Sequence, residues 1–200
     1  MSMKRILPKS AYLALFAASA ILFSALLAAL VPYEADATSV IKLSDEQLIE
    51  MSDAICHAKV MHLSPIETPD GSILTAVEVE VLDWIKPAQG DKNYTFYMRG
   101  GEIGEIRQFV HGEPALELGD EIVVFLEIVP KFQRPLILGL AQGAFIVKDE
   151  RICRADNRSS SHFLRFMRNE DSLFDKAQTP KQLIDRIRRD MIQLNSASHK

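Results

Sequence analysis

Hydrophobic and polar positions alternate most cleanly at "SILTAVEVEVLDWIK", where Val77, Val79 and Val81 interleave with Glu78 and Glu80. A period of two predicts a β-strand with one buried and one wet face. "TPDG" before it is a turn by composition, since Pro, Asp and Gly each favour tight bends. "AICHAKVMHL" and "YTFYMR" read as the flanking strands. "DEIVVFLEIV" is apolar at every position from Ile122 to Leu126, which predicts a central strand covered on both faces. "LILGLAQGAFIV" predicts either one bent strand or a hairpin, with Gly139 and Gly143 marking a bulge or a close backbone approach.

The helical period appears at the two ends of this region. In "LSDEQLIEMSD", Ser44 and Gln47 stand at capping-box spacing, predicting a short helix from Asp45 to about Ser52. In "TPKQLIDRIRRDMIQLN", Thr179 fits an N-cap, Pro180 the first helical position, and Gln182 the reciprocal capping position. Leu183, Ile184, Ile187, Met191 and Leu194 then fall on one stripe at helical spacing. Short strands separated by glycine turns predict a mainly β domain, a small antiparallel OB-like barrel with a short N-terminal helix and a C-terminal amphipathic helix.

Domain bounds follow from composition. Lys4, Arg5 and Lys9 precede 24 uncharged residues, Ser10 to Tyr33, and "EADA" then offers small residues at Ala35 and Ala37. That is the layout of a secretory signal peptide over residues 1–37, with cleavage after Ala37. The apolar run also approaches the ~20 residues that span a bilayer, so an uncleaved N-terminal anchor is the competing expectation. Either way the remainder is exported: periplasmic, secreted, or held at the inner membrane. Residues 38–155 form the β domain, and 156–200 a polar linker followed by the basic helix.

Charge separates along the exported part. Residues 38–150 hold 9 basic and 19 acidic side chains, and residues 151–200 hold 11 basic and 6 acidic. The basic helix is therefore expected to dock on the acidic β domain, or to offer Arg186, Arg188 and Arg189 to an acidic partner or a membrane surface. A net charge of −4 argues against general nucleic-acid binding. Only two cysteines exist, Cys56 and Cys153, and export makes a disulfide between them the expectation.

"RGGEIGEIRQFVHGEP", Arg99 to Pro114, holds four glycines in sixteen residues. It lacks the Gly-Lys-Ser/Thr of a P-loop, and Glu102 and Glu105 would repel a phosphate. It reads as structural, with Gly100 and Gly101 permitting positive φ as the chain leaves a strand. His57 and His62, five apart, are expected on opposite faces of their strand. No His-Glu-x-x-His or Gly-x-Ser-x-Gly is present, "SSSH" (Ser159 to His162) reads as linker, and the carboxylates of Glu78 and Glu80 face solvent. No catalytic residue, metal or cofactor is assigned.

"MRGGEIGEIRQFVHGEPALELGDEIVVFLE" followed by "LGLAQGAFIV" resembles a group of exported bacterial proteins without an assigned activity. In that group a Gly-Gly-x-x-Gly loop, a Gly-x-Pro turn, a Gly-Asp/Glu-x-Ile/Val-Val-x-Phe-Leu strand and a Gly-x-x-Gln-Gly-x-Phe strand recur in this order. The resemblance implies a small barrel similar to oligonucleotide/oligosaccharide-binding or netrin-like modules. It implies architectural roles for Gly100, Gly101, Gly104 and Gly143. Gln142 stands apart: a glutamine inside an apolar strand must satisfy its amide, and is expected to pin the Gly100–Gly104 loop. The expected function is a non-enzymatic binding module of the cell envelope whose partner is another envelope or secreted protein. Membrane contact is expected only with an uncleaved first helix. A protease-inhibitor-like barrel, or a periplasmic hydrolase using His57, His111 or His162, is the alternative.

Overall fold

The computed structural model describes residues 41–87, 90–155 and 172–198, apart from an isolated Ser19. The expected signal or anchor, its cleavage site, and the linker with its Ser159–His162 run lie outside the described residues.

Helix α1 (Asp45–Met51) starts at a complete capping box. The Gln47 backbone N–H donates to Ser44 Oγ at 3.2 Å, and the Ser44 N–H donates to Gln47 Oε1 at 2.9 Å. Among the described residues nine strands follow: β1 (Ala54–Glu67), β2 (Ile73–Lys86), β3 (Asn93–Arg99), β4 (Gly101–Ile103), β5 (Ile106–Gln108), β6 (Glu121–Val129), β7 (Arg134–Ile137), β8 (Ala144–Lys148) and β9 (Arg151–Arg154). Helix α2 (Pro180–Ser198) closes the described chain. The fold is mainly β and mostly antiparallel, as the alternation predicts.

The seven-stranded sheet runs β1-β2-β3-β7-β6-β8-β9, and β1 pairs in addition with β6. The sheet is not a closed barrel, contrary to expectation. β3 and β7 meet through a single parallel pair, Tyr97↔Leu136, so the ladder at that junction is one bridge long. β8 and β9 then continue past β6. β4 and β5 form a separate two-stranded hairpin.

"LILGLAQGAFIV" is one bent strand interrupted by a turn. Leu126 of β6 pairs with Ala54 and with Ile137 of β7, while Val124 pairs with Cys56 and with Ala144 of β8. β7 and β8 therefore share the side of β6 opposite β1. The residues between them loop out through a 3₁₀ turn, Leu140–Gly143, entered at Gly139 with φ 62°. A Cβ on Gly143 would collide with the Leu138 carbonyl, so this tight turn excludes a side chain there.

Two apolar clusters lie on the two faces of β6. Ile122, Val124 and Leu126 join Cys56, Ala58, Val77, Val79 and Phe96 on one face. Val123 and Phe125 join Leu48 and Ile49 of α1, Leu183, Ile184 and Ile187 of α2, and Phe174 on the other. The α2 stripe thus docks on the outer face of the sheet, as its periodicity predicts. Each fully buried aliphatic side chain there contributes roughly 1.5–3 kcal/mol of transfer free energy.

Cys56 and Cys153 are both free, which corrects the expected disulfide. Cys56 lies on β1 and Cys153 on β9, with β6 and β8 between them in the sheet. Three strand spacings of ~4.8 Å put them far beyond the roughly 7 Å Cα separation a disulfide tolerates. The Cys153 Sγ instead lies 3.7 Å from the Ile146 carbonyl. A second correction concerns β1, where register shifts fall at His57/Ala58 and Val60/His62. Cys56, Ala58 and Leu63 all pack on the first cluster, so the later bulge returns His62 to the face that His57 occupies.

Candidate functional site: a pocket built by the glycine-rich stretch

The glycine-rich stretch is more than a bend. Its backbone reverses sharply after β3. Gly100 takes φ 88°, donates its N–H to the Ile73 carbonyl at 2.8 Å, and accepts Thr75 Oγ1 at 2.8 Å. A Cβ on Gly100 would stand 2.6 Å from the Gln108 carbonyl oxygen, and one on Gly101 (φ 145°) 2.7 Å from Thr75 Oγ1. Both positions require glycine for conformation and for space. Gly104 (φ 60°) sits in the tip of the β4–β5 hairpin, which Gln108 ties back by accepting the Ile73 N–H at 2.5 Å.

This hairpin and the segment after it line an open pocket of about 460 Å³, bounded by Met98, Arg99, Phe109, Val110, Glu113 and Pro114 among others. Glu113 is the chemical centre of its wall. The side chain is 8 % exposed, and Oε1 accepts both the Arg99 backbone N–H and Arg99 Nη1 at 3.1 Å. Oε2 is buried with no hydrogen-bond partner. An unsatisfied buried acceptor costs about 1–3 kcal/mol, more when charged, so native structures keep few of them. Burial pushes the Glu113 carboxyl above its ordinary range, against the opposing pull of the Arg99 guanidinium. Arg99 Nη2 reaches toward Glu127 at 3.8 Å, whose carboxyl burial also raises. At the rim, Arg107 Nε pairs with Glu102 at 3.3 Å, and Phe109 is 69 % exposed, edge-on to His111 with centroids 4.9 Å apart.

Gln142 does not pin this loop. Its side chain is buried in the 3₁₀ turn, where Oε1 accepts the Leu43 N–H at 2.9 Å and Nε2 donates to the Ile41 carbonyl at 3.0 Å. The amide therefore pairs with one edge of the segment ahead of α1, an acceptor and a donor two residues apart. Beside it lies a second buried polar constellation. Asp45 accepts from Ser172 Oγ at 2.6 Å and from the Leu173 and Phe174 backbone N–H groups at 2.7 and 3.1 Å. Arg154 bonds Asp175 at 2.7 Å, donates to the Gln142 carbonyl, and stacks on Phe145. This network joins α1, the 3₁₀ turn, β9 and residues 172–175, and its role is to fasten them together.

A groove of about 700 Å³ runs between the start of α2 and the sheet. It holds His57, whose Nε2 is 2.7 Å from Glu121 Oε1, and Arg188, whose Nη2 bonds both Asp83 carboxylate oxygens at 2.8 and 2.9 Å. Arg188 is thus spent on docking the helix. Arg186 is half-buried with an unpartnered Nε, and with the exposed Arg189 it borders a polar cleft of about 490 Å³. The capping of α2 differs in one bond from expectation: Gln182 donates its backbone N–H to Thr179 Oγ1, but its side chain accepts from Gln178, one residue before the N-cap. His111 lies by the glycine pocket and His57 in the groove, so these two histidines do not converge. Among the described residues no cluster of His, Cys, Asp and Glu could hold a metal ion, and no helix is long and apolar enough to cross a membrane.

No protein-family model, curated protein or solved structure matches the chain.

The sequence reading passes over Glu113, although one signal is there. A carboxylate before Pro114 sits on a backbone that the proline restricts, next to a glycine, Gly112, that lets the chain turn. Asp45, Arg154 and Asp175 carry no such signal, since only the tertiary fold brings them together.

Proposed function

We propose that this protein is an exported, non-enzymatic binding module of the bacterial cell envelope, built on an OB-like strand arrangement, with the glycine-loop pocket as its ligand site. The observation that carries the reading is Glu113, a buried carboxyl with one oxygen unpaired in the wall of an open pocket. Structural acids are ordinarily satisfied, and pockets that hold a few convergent polar groups among apolar walls are ordinary ligand sites. The strand order supports the OB-like part, because β1-β2-β3-β7-β6 returns to β1 with β3 and β7 parallel. The basic N-terminus and small-residue site before Thr38 support export.

The test combines cell fractionation with thermal shift in a detergent-free envelope extract. Ala115 is exposed and borders the pocket, so Ala115→Trp should fill it without touching the core. The wild type is expected in the exported fraction, stabilised by the extract, with the stabilisation lost in Ala115→Trp. Cytoplasmic retention, or equal stabilisation of both proteins, would overturn the reading.

A hydrolase is the second reading, favoured by the His57–Glu121 contact in the wide groove beside α2. A carboxylate on one imidazole nitrogen is how a general base is commonly oriented. Turnover of chromogenic ester or glycoside substrates that disappears in His57→Ala would move this reading to first place.

A further inference from the structure

We propose that a second pocket, at the open end of the inner apolar cluster, binds a quaternary ammonium group against the rings of Trp84 and Tyr94. This site shares no lining residue with the glycine-loop pocket and stands or falls independently of it.

The pocket opens where β3 and β7 part. Their ladder is the one Tyr97↔Leu136 bridge, and Tyr94 and Pro135 lie just before it on the two strands. Ala54, Leu126, Trp84 and Tyr94 pack on the inner cluster and also line the pocket, so its floor is the end of the core. Ile128 and Pro135 extend the apolar wall around about 280 Å³. That is room for one small group, near the lower limit of roughly 300 Å³ usual for ligand sites.

The two rings stand at 86° with centroids 5.1 Å apart. Rings at right angles enclose a corner in which one group meets a face of each, and those faces attract a cation. The corner is held in place from the loop after β2. Trp84 Nε1 donates to the Asp91 carbonyl at 2.9 Å, and Gly90 rests on the indole, where a Cβ would lie 2.5 Å from the ring. Both rings are half-buried: part of each packs on the core, and part reaches the pocket.

Charge fixes the sign of the ligand. Asp53, Asp91 and Glu127 line the pocket, and among the described residues no basic side chain does. Asp53 and Asp91 are exposed, so a bound cation can approach their carboxylates. Burial raises the Glu127 carboxyl, but the two aspartates keep the rim negative whether or not Glu127 is ionised. The nearest cations are engaged elsewhere: Lys86 Nζ bonds the Ile49 and Ser52 carbonyls, and Arg99 Nη1 bonds Glu113. An anion is therefore repelled, and a neutral group gains nothing from the field.

Hydrogen bonding decides between kinds of cation. Asp53 Oδ2 already accepts the Ile128 N–H at 2.6 Å, and the Asp91 carbonyl accepts the indole. An ammonium with N–H groups needs acceptors at bonding distance to replace its water. A quaternary ammonium needs none, and its methyl groups suit aromatic and apolar walls.

Trp84 is the only tryptophan in the chain, so its fluorescence reports this pocket. The test titrates the purified protein with choline, its neutral isostere 3,3-dimethylbutan-1-ol, the anion 3,3-dimethylbutanoate, and butylammonium. Choline is expected to change Trp84 emission saturably, the neutral isostere to bind about tenfold more weakly, and the anion to give no response. Butylammonium should bind more weakly than choline. Tyr94→Leu should weaken choline about tenfold, and Asp91→Asn about threefold at low salt. Asp91 is exposed, so its variant keeps the fold if Tyr94→Leu, whose ring packs on the core, does not. Equal binding of choline and the neutral isostere would overturn the cation, and tighter binding of butylammonium would overturn the quaternary group. No saturable response to choline, or one that neither variant weakens, would overturn the site. Choline also occurs as a lipid headgroup. Sedimentation of the protein with phosphatidylcholine vesicles, reversed by free choline, would assign the site to a membrane surface; choline binding without sedimentation would assign it to a soluble ammonium compound.

Discussion

Asp45 and Ser172 are joined by a 2.6 Å hydrogen bond across 127 positions of sequence. The same carboxylate caps the backbone N–H groups of Leu173 and Phe174, so one acid at the start of α1 orders the chain that leads into α2. Phe174 is thereby seated between Phe125 and Phe145, with centroids 5.8 and 6.4 Å away. Asp45→Ala would strand three donors, at a cost of about 1–3 kcal/mol for each buried group left unmet. We expect a loss of roughly 3 kcal/mol in urea unfolding, and faster hydrogen exchange at Leu173 and Phe174.

Gln142→Ala should release Ile41–Leu43, because its amide bonds both the Ile41 carbonyl and the Leu43 N–H. Limited proteolysis is expected to open the chain ahead of α1 while leaving Gly100–Gly104 as resistant as in the wild type. Cleavage appearing first at the glycine loop would contradict the geometry.

Helix α2 should be held by its apolar stripe and hardly at all by its arginines. Ile187 is fully buried in the outer cluster, and Ile187→Ala is expected to cost about 2–5 kcal/mol. The Arg188–Asp83 pair is exposed, and Arg188→Ala should cost under ~1 kcal/mol. Chemical denaturation of the two variants distinguishes burial from charge as the force that docks the helix.

Glu113 gives the protein a pH dependence of known sign. Its folded-state carboxyl titrates above the ordinary value of 4.5, so above that value the folded protein binds more protons than the unfolded chain. Stability is therefore highest below 4.5 for this group, and falls as pH rises through its folded-state value. Glu113→Gln should flatten that part of the curve, measured as melting temperature against pH in the wild type and the variant.

Burial pushes the Cys56 thiol up to about 12, which keeps it protonated and unreactive at neutral pH. Iodoacetamide on the native protein should therefore modify the partly exposed Cys153 first, and Cys56 only after unfolding. Intact mass without reductant is expected to show two alkylated thiols in the denatured chain.

How much of this was legible beforehand depends on the range of the interaction. Helix α1 and its capping box, the alternation of β2, the doubly buried β6 and the apolar stripe of α2 were all readable, because each is set by neighbours a few residues apart. The bulge after Val60 inverted the expected face of His62, since one inserted residue reverses a period of two and leaves no compositional mark. The cysteine pairing misled for the opposite reason: compartment and count suggest a bond, but strand order alone fixes distance.

The site divides along the same line. Glycines at 100 and 101 follow from local backbone demands, and the sequence by itself determined that the chain must turn sharply there. Only the tertiary structure decided what that turn encloses. Arg99 and Glu113 lie fourteen residues apart, and their meeting depends on Gly100 docking against β2 and the hairpin folding back through Gln108. Burial of Glu113 then raises its carboxyl and leaves Oε2 unpaired. Solvent exclusion belongs to the packed assembly of elements, so no segment read alone could have shown it.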